Sequence, residues 1–88
     1  MRLKKEFREK VVNGINNQLV MQALRTKPIA KHGSFRPLAE HLVSVAEYTA
    51  KQMADKGEER SIIEWLCIML GDDIAKILKE MEYNELHD

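Results

Sequence analysis

The sequence predicts an all-α protein: a short N-terminal helix followed by a long antiparallel helical hairpin, assembling as a homo-oligomer. Three observations carry this expectation. Apolar residues recur at three- and four-residue spacing along most of the chain, which is the period of one face of an α-helix. The apolar content is mostly aliphatic, with only five aromatics and two prolines, a composition that favours helix over sheet. At 88 residues the chain is one small domain, spanning 1–88. A monomer of that size buries a modest share of its surface, so association is a common way to complete its core.

The N-terminal helix is expected over 1–24. Leu3, Phe7, Val11, Ile15 and Leu19 recur every fourth residue, and Val12 and Ala23 widen the stripe. Asn13-Gly14 weakens its middle, because glycine in a helix costs roughly 1 kcal/mol relative to alanine. A bend there, or two short helices, fits the pattern equally well.

A basic connection follows over 25–36, with Arg25, Lys27, Lys31 and Arg36 around Pro28, His32, Gly33 and Ser34. It is long for a helix–helix link, where roughly 2–8 residues are usual. Long connections are more often functional than short ones.

The first hairpin helix is expected over 34–56. Ser34 can cap it and Pro37 is tolerated in its first turn. Leu38, Leu42, Val45, Thr49 and Met53 form its stripe, and Ala39, Ala46 and Ala50 let a neighbour approach. Gly57 follows it, as glycine does just past a helix C-terminus. The second hairpin helix is expected over 61–82. Ser61-Ile62-Ile63-Glu64 fits a capping box. Ile63, Leu66, Leu70, Ile74, Ile77 and Met81 form its stripe, and Asn84 to Asp88 read as frayed. From Ile62 to Leu70 every position except Glu64 is apolar. A helix apolar all round is buried on several sides, and part of this surface is expected to pack on another subunit.

Charge is sorted by position. Residues 1–36 carry nine Lys/Arg against two Glu, a net +7, and residues 37–88 carry five against twelve, a net −7. The overall zero therefore hides a dipolar chain. Such a split suits an anionic partner for the first half, or self-assembly through complementary faces. The plain alternative is a set of solvated helix faces that differ in sign.

Several classes are disfavoured. One cysteine, Cys67, cannot form an internal disulfide and reads as a small core residue in a reducing compartment. No apolar stretch follows the basic start as in a signal peptide, and none approaches a membrane span. The expected location is the cytoplasm, with no membrane partner. Asp72-Asp73 and the three histidines lack the spacing of a metal site, since adjacent carboxylates on a helix diverge by about 100°. No metal, no cofactor and no catalytic residue is expected. Nucleic acid is disfavoured as partner: Glu6 and Glu9 interrupt Lys4, Lys5, Arg8 and Lys10, and the acidic half repels a phosphate backbone.

Binding of a small phosphate-bearing ligand fits better. Free N–H groups at a helix start attract phosphate, and His32, Ser34 and Arg36 sit where that works. Arg25 and Lys27 reach the same region, and Arg8 adds a cation on the first helix. Phe7 offers either a stacking face for a base or plain core packing.

From His32 through Leu38-Ala39, Val45-Ala46, Ala50 and Met53 to Gly57-Glu58-Glu59-Arg60-Ser61 and Ala75, the hairpin resembles that of small phage proteins countering CBASS and Thoeris immunity. The likeness covers Gly33 to Lys79 and is greatest to the anti-CBASS sponges, including the kind carried by T-even phages. It implies a homohexamer that sequesters cyclic oligonucleotides without cleaving them. It assigns Phe7, in place of the usual tyrosine, to stacking on a base and Lys27 to holding phosphate in the cyclic dinucleotide site. It assigns Arg60, with Ser61 beside it, to a separate cyclic trinucleotide site. Two rival readings are an interaction protein that inhibits an acidic host protein and a nucleic-acid-binding regulator.

Overall fold

The computed structural model describes residues 2–26 and 34–87. They form four α-helices and no strand: α1 (Lys5–Thr26), α2 (Arg36–Asp55), α3 (Ile62–Leu70) and α4 (Asp72–His87). The all-helical expectation holds. Each helix packs on its neighbour in the chain, and α4 closes back onto α1.

The N-terminal helix is not short. At 22 residues α1 is the longest, and it runs unbroken through Asn13-Gly14. A Cβ on Gly14 would lie 2.7 Å from Met81 Cε, so the glycine leaves room for the tip of the Met81 side chain and does not bend α1. Arg25 and Thr26 belong to α1 and Arg36 opens α2, which removes both ends of the expected connection. Of the rest, Ser34 and Phe35 precede α2 and 27–33 lie outside the described residues.

The larger correction concerns the second hairpin helix. Instead of one helix over 61–82 there are two, separated by Gly71. Gly71 has φ 84° and ψ 176°, a region open essentially to glycine alone. Its N–H donates to the Cys67 carbonyl, and its own carbonyl accepts from the Ala75 N–H. The chain doubles back there. Ser61 Oγ meets Glu82 Oε2 at 3.1 Å and the Cys67 thiol reaches the Ala75 carbonyl at 3.7 Å, so α3 and α4 run antiparallel. The stripe changes phase at the break: Leu78 is fully buried while Ile77 is only partly so.

This reversal gives α3 two neighbours, α2 and α4. Ile62, Ile63 and Leu66 are buried as a result, while Ile68 stays 57% exposed and Met69 38%. The remaining core is Phe7, Val11, Val12 and Ile15 of α1, Val43 and three alanines of α2, and Ile74 and Leu78 of α4. On α2 the buried face is Ala39, Val43, Ala46 and Ala50, not the expected Leu38–Met53 stripe; Leu38 is 47% exposed. Small residues let neighbouring backbones approach, and the bulkier flanks are left outside.

The helix ends follow local chemistry. The Ser61 hydroxyl accepts from the Glu64 N–H at 3.1 Å, and Glu64 Oε1 accepts from the Ser61 N–H at 3.0 Å, completing the capping box. Gly57 turns the chain after α2 with φ 89°. At the start of α2 the cap position is Phe35, not Ser34. Ser34 Oγ still accepts from the Arg36 N–H at 3.0 Å, and Asn16 Oδ1 takes the Phe35 N–H at 2.7 Å. Helix α4 extends to His87, past the expected fraying point, and the Tyr83 and His87 rings lie 4.2 Å apart one turn from its end.

Two glycines give opposite expectations. Gly71→Ala should lower stability by about 1–3 kcal/mol in urea unfolding, because the reversal needs a positive φ. Gly14→Ala should be neutral or stabilising by up to about 1 kcal/mol, since a flexible Met81 methyl moves aside and the helix gains propensity. A third test concerns Cys67, whose thiol is pushed up from its ordinary range chiefly by burial, with Lys79 opposing and Glu82 and Glu64 adding. Alkylation at pH 8 should therefore be slower for the folded protein than for the urea-unfolded chain.

Candidate ligand-binding site

The N-terminal end of α1 and the C-terminal half of α2 enclose an open hollow of about 700 Å³. Lys5 and Arg8 come from α1, one turn apart. Ser44, Tyr48 and Lys51 come from α2, at the four- and three-residue spacing that places side chains on one face. Arg2 and Leu3, preceding α1, complete the rim. Four cations thus line the same hollow as the Tyr48 ring, which is 67% exposed. The volume lies within the roughly 300–1,000 Å³ typical of small-ligand sites.

At the base of the hollow is Glu47, only 7% exposed and the one charged side chain classed as buried among the described residues. Its Oε2 accepts the Leu3 backbone N–H at 3.0 Å. Its Oε1 faces Arg8, with both Nε and Nη2 at 3.5 Å. Arg8 Nη2 also donates to Ser44 Oγ at 2.9 Å. These bonds fasten the first residues of the chain and the Arg8 guanidinium against α2.

Within one chain, the described residues among those expected to form a dinucleotide site are not gathered. Arg8 and Arg25 are seventeen positions apart on one straight helix, about 25 Å at 1.5 Å per residue. Arg8 lines the hollow, while Arg25 is exposed at the far end of α1. Arg36 lies between them and is already engaged with Glu9, Asn13 and Glu40. The hydrogen bond to Glu9, and then its charge, hold the Arg36 proton more firmly than usual. Ser34 spends its hydroxyl oxygen on the α2 start. Lys27 and His32 fall outside the described residues.

Phe7 needs correcting as a stacking platform. It is 8% exposed and belongs to the core. Its edge borders a second, shallower hollow of about 300 Å³ with Lys10, Met81, Asn84 and Glu85. Position 7 lies on the apolar stripe, and the stripe turns its ring inward. The exposed aromatic beside cations is Tyr48 instead.

The residues assigned to a trinucleotide site are adjacent and partnered. Arg60 Nε donates to Glu58 at 3.1 Å, and the guanidinium lies 5.5 Å from the centre of the Trp65 ring. Ser61 caps α3 and donates to Glu82. The Trp65 indole N–H is buried with no hydrogen-bond partner among the described residues. Asp72 and Asp73 sit in the first turn of α4, where negative charge complements the helix dipole. Among the described residues no cluster of three or more His, Cys, Asp or Glu could hold a metal, and no helix is long and apolar enough to cross a membrane.

The sequence reading passed over Ser44, Tyr48 and Lys51, although their helical spacing puts them on the face of α2 opposite its buried alanines. What the spacing alone does not reveal is which part of α1 lies across from it. Comparisons with protein-family models, curated proteins and solved structures find no match to this chain.

Proposed function

We propose that this protein binds and retains small phosphate-bearing ligands, cyclic di- and trinucleotide second messengers, and that the dinucleotide is held in the α1–α2 hollow. The observation that carries the reading is the hollow itself, lined by Arg2, Lys5, Arg8 and Lys51 together with the exposed Tyr48 ring. Cations neutralise phosphates while an aromatic face stacks on a base without strong base preference. The resemblance to anti-CBASS sponges supplies the ligand class. It supplies the biological role too, blocking of CBASS immunity from the host cytoplasm.

The mechanism is mass action. Abundant copies lower the free messenger concentration below what its effector requires, and no bond is broken. Self-association belongs to the same proposal, as the homohexamer that the resemblance implies. The exposed Ile68 and Met69 on α3 support an apolar contact between copies. Arg60 and Ser61 remain the proposed trinucleotide contacts, since an arginine repeated around a symmetry axis suits a ring of phosphates.

The basic hollow also suits the rival reading, an acidic host protein as partner, and one experiment separates them. The purified protein is incubated with cyclic di- and trinucleotides, desalted, heat-denatured, and the released material analysed. Intact ligand is expected; a hydrolysed product would indicate an enzyme, and no ligand would favour the protein partner. Tyr48→Ala and Lys51→Ala should each weaken dinucleotide binding about tenfold, within the roughly 1–3 kcal/mol that stacking on a base is worth, while Lys27→Ala changes it little. Loss confined to Lys27→Ala would instead move the site to the 25–36 connection. Arg60→Ala should reduce trinucleotide retention and spare the dinucleotide.

A further inference from the structure

Given that the hollow is the ligand site, as proposed above, we infer that Glu47 is its positioning residue: a buried carboxylate that arranges the cations an anionic ligand needs. At first sight its charge is wrong, since a carboxylate at the base of an anion site repels the ligand. Its bonds give the opposite result.

Oε2 holds the Leu3 N–H at 3.0 Å, which lays the residues before α1 along α2 and brings Arg2 to the rim. Oε1 engages Arg8 through Nε and Nη2, and Ser44 takes a further bond from Nη2 at 2.9 Å. Two acceptors on α2 thus fix the plane of the guanidinium. Nη1 takes part in neither bond and is the edge left for a phosphate oxygen. A fixed, planar donor fork binds phosphate better than a freely rotating one, because less side-chain entropy is lost on binding. Two of the four cations therefore owe their places to one residue. The burial of Glu47 matters as well: a carboxylate already satisfied by an N–H and an arginine projects less repulsion than one free in the hollow.

Electrostatics and positioning predict opposite signs, which makes a direct test. Binding of 3′,3′-cyclic di-AMP and 3′,3′-cyclic GMP–AMP is measured by calorimetry for the wild type, Glu47→Gln, Ser44→Ala and Lys51→Ala, at several salt concentrations. Glu47→Gln adds one net positive charge yet should weaken binding about tenfold and flatten its salt dependence, because Arg8 no longer presents its edge. Ser44→Ala, on an exposed position with no change of charge, should weaken binding about threefold with the melting temperature held. This variant carries the test if Glu47→Gln proves too unstable. Glu47→Asp should recover part of the affinity. Tighter or unchanged binding by Glu47→Gln, or unchanged binding by Ser44→Ala, would overturn the positioning role while leaving the hollow as the site. Absence of binding by the wild type to both cyclic dinucleotides would overturn the site and the positioning role together.

Discussion

The antiparallel register between α1 and α2 governs the rest of the molecule. It is pinned at both ends of the shared length. Near the start of α1, Leu3 and Arg8 engage Glu47. At the start of α2, Phe35 and Arg36 engage Asn16, Asn13 and Glu9. Between these pins Val11, Val12 and Ile15 face Ala39, Val43 and Ala46 in one core cluster. Because α2 presents mostly alanines there, the two backbones can lie close. A slip of one turn would separate Arg8 from its buried partner. The same register creates the hollow, which exists only where the polar faces of both helices meet beyond the packed stripe.

The reversal at Gly71 solves a different problem. A nine-residue helix that is apolar at eight positions needs more than one covering surface. A straight continuation would have left most of it exposed in a single chain. Folding α4 back along α3 supplies the second surface from the same chain, and it also closes α4 onto α1. Cys67 sits at this seam, donating weakly to the Ala75 carbonyl. What remains uncovered is a short apolar arc around Ile68 and Met69 rather than a whole helix face.

Much of this was legible in the sequence, and the limits have physical causes. Helix identity followed from periodicity, and the Ser61 capping box and the Gly57 turn followed from residue chemistry at fixed spacing. The break at Gly71 was missed because Leu70 and Ile74 are four residues apart, so the apolar spacing passes through the glycine as it would through a straight helix. Phe7 was correctly placed on an apolar stripe, but its burial is decided by α4, whose direction depends on that break. The proposed hollow was not legible in the sequence for a related reason. Cation density pointed to residues 25–36, whereas the residues that line the hollow are separated in sequence, Lys5 and Arg8 from Tyr48 and Lys51. Their convergence is a property of register, which charge counting does not contain.

The central claim is that a single α1–α2 hollow, shaped by that register, is where a phosphate-bearing ring is held. Resonance mapping of the isotope-labelled protein during titration with a cyclic dinucleotide tests it most directly. The account predicts that shifts concentrate on Leu3, Lys5, Arg8, Ser44, Glu47, Tyr48 and Lys51. Shifts gathered instead on the 25–36 segment, or spread evenly over the basic surface with no saturation, would contradict it.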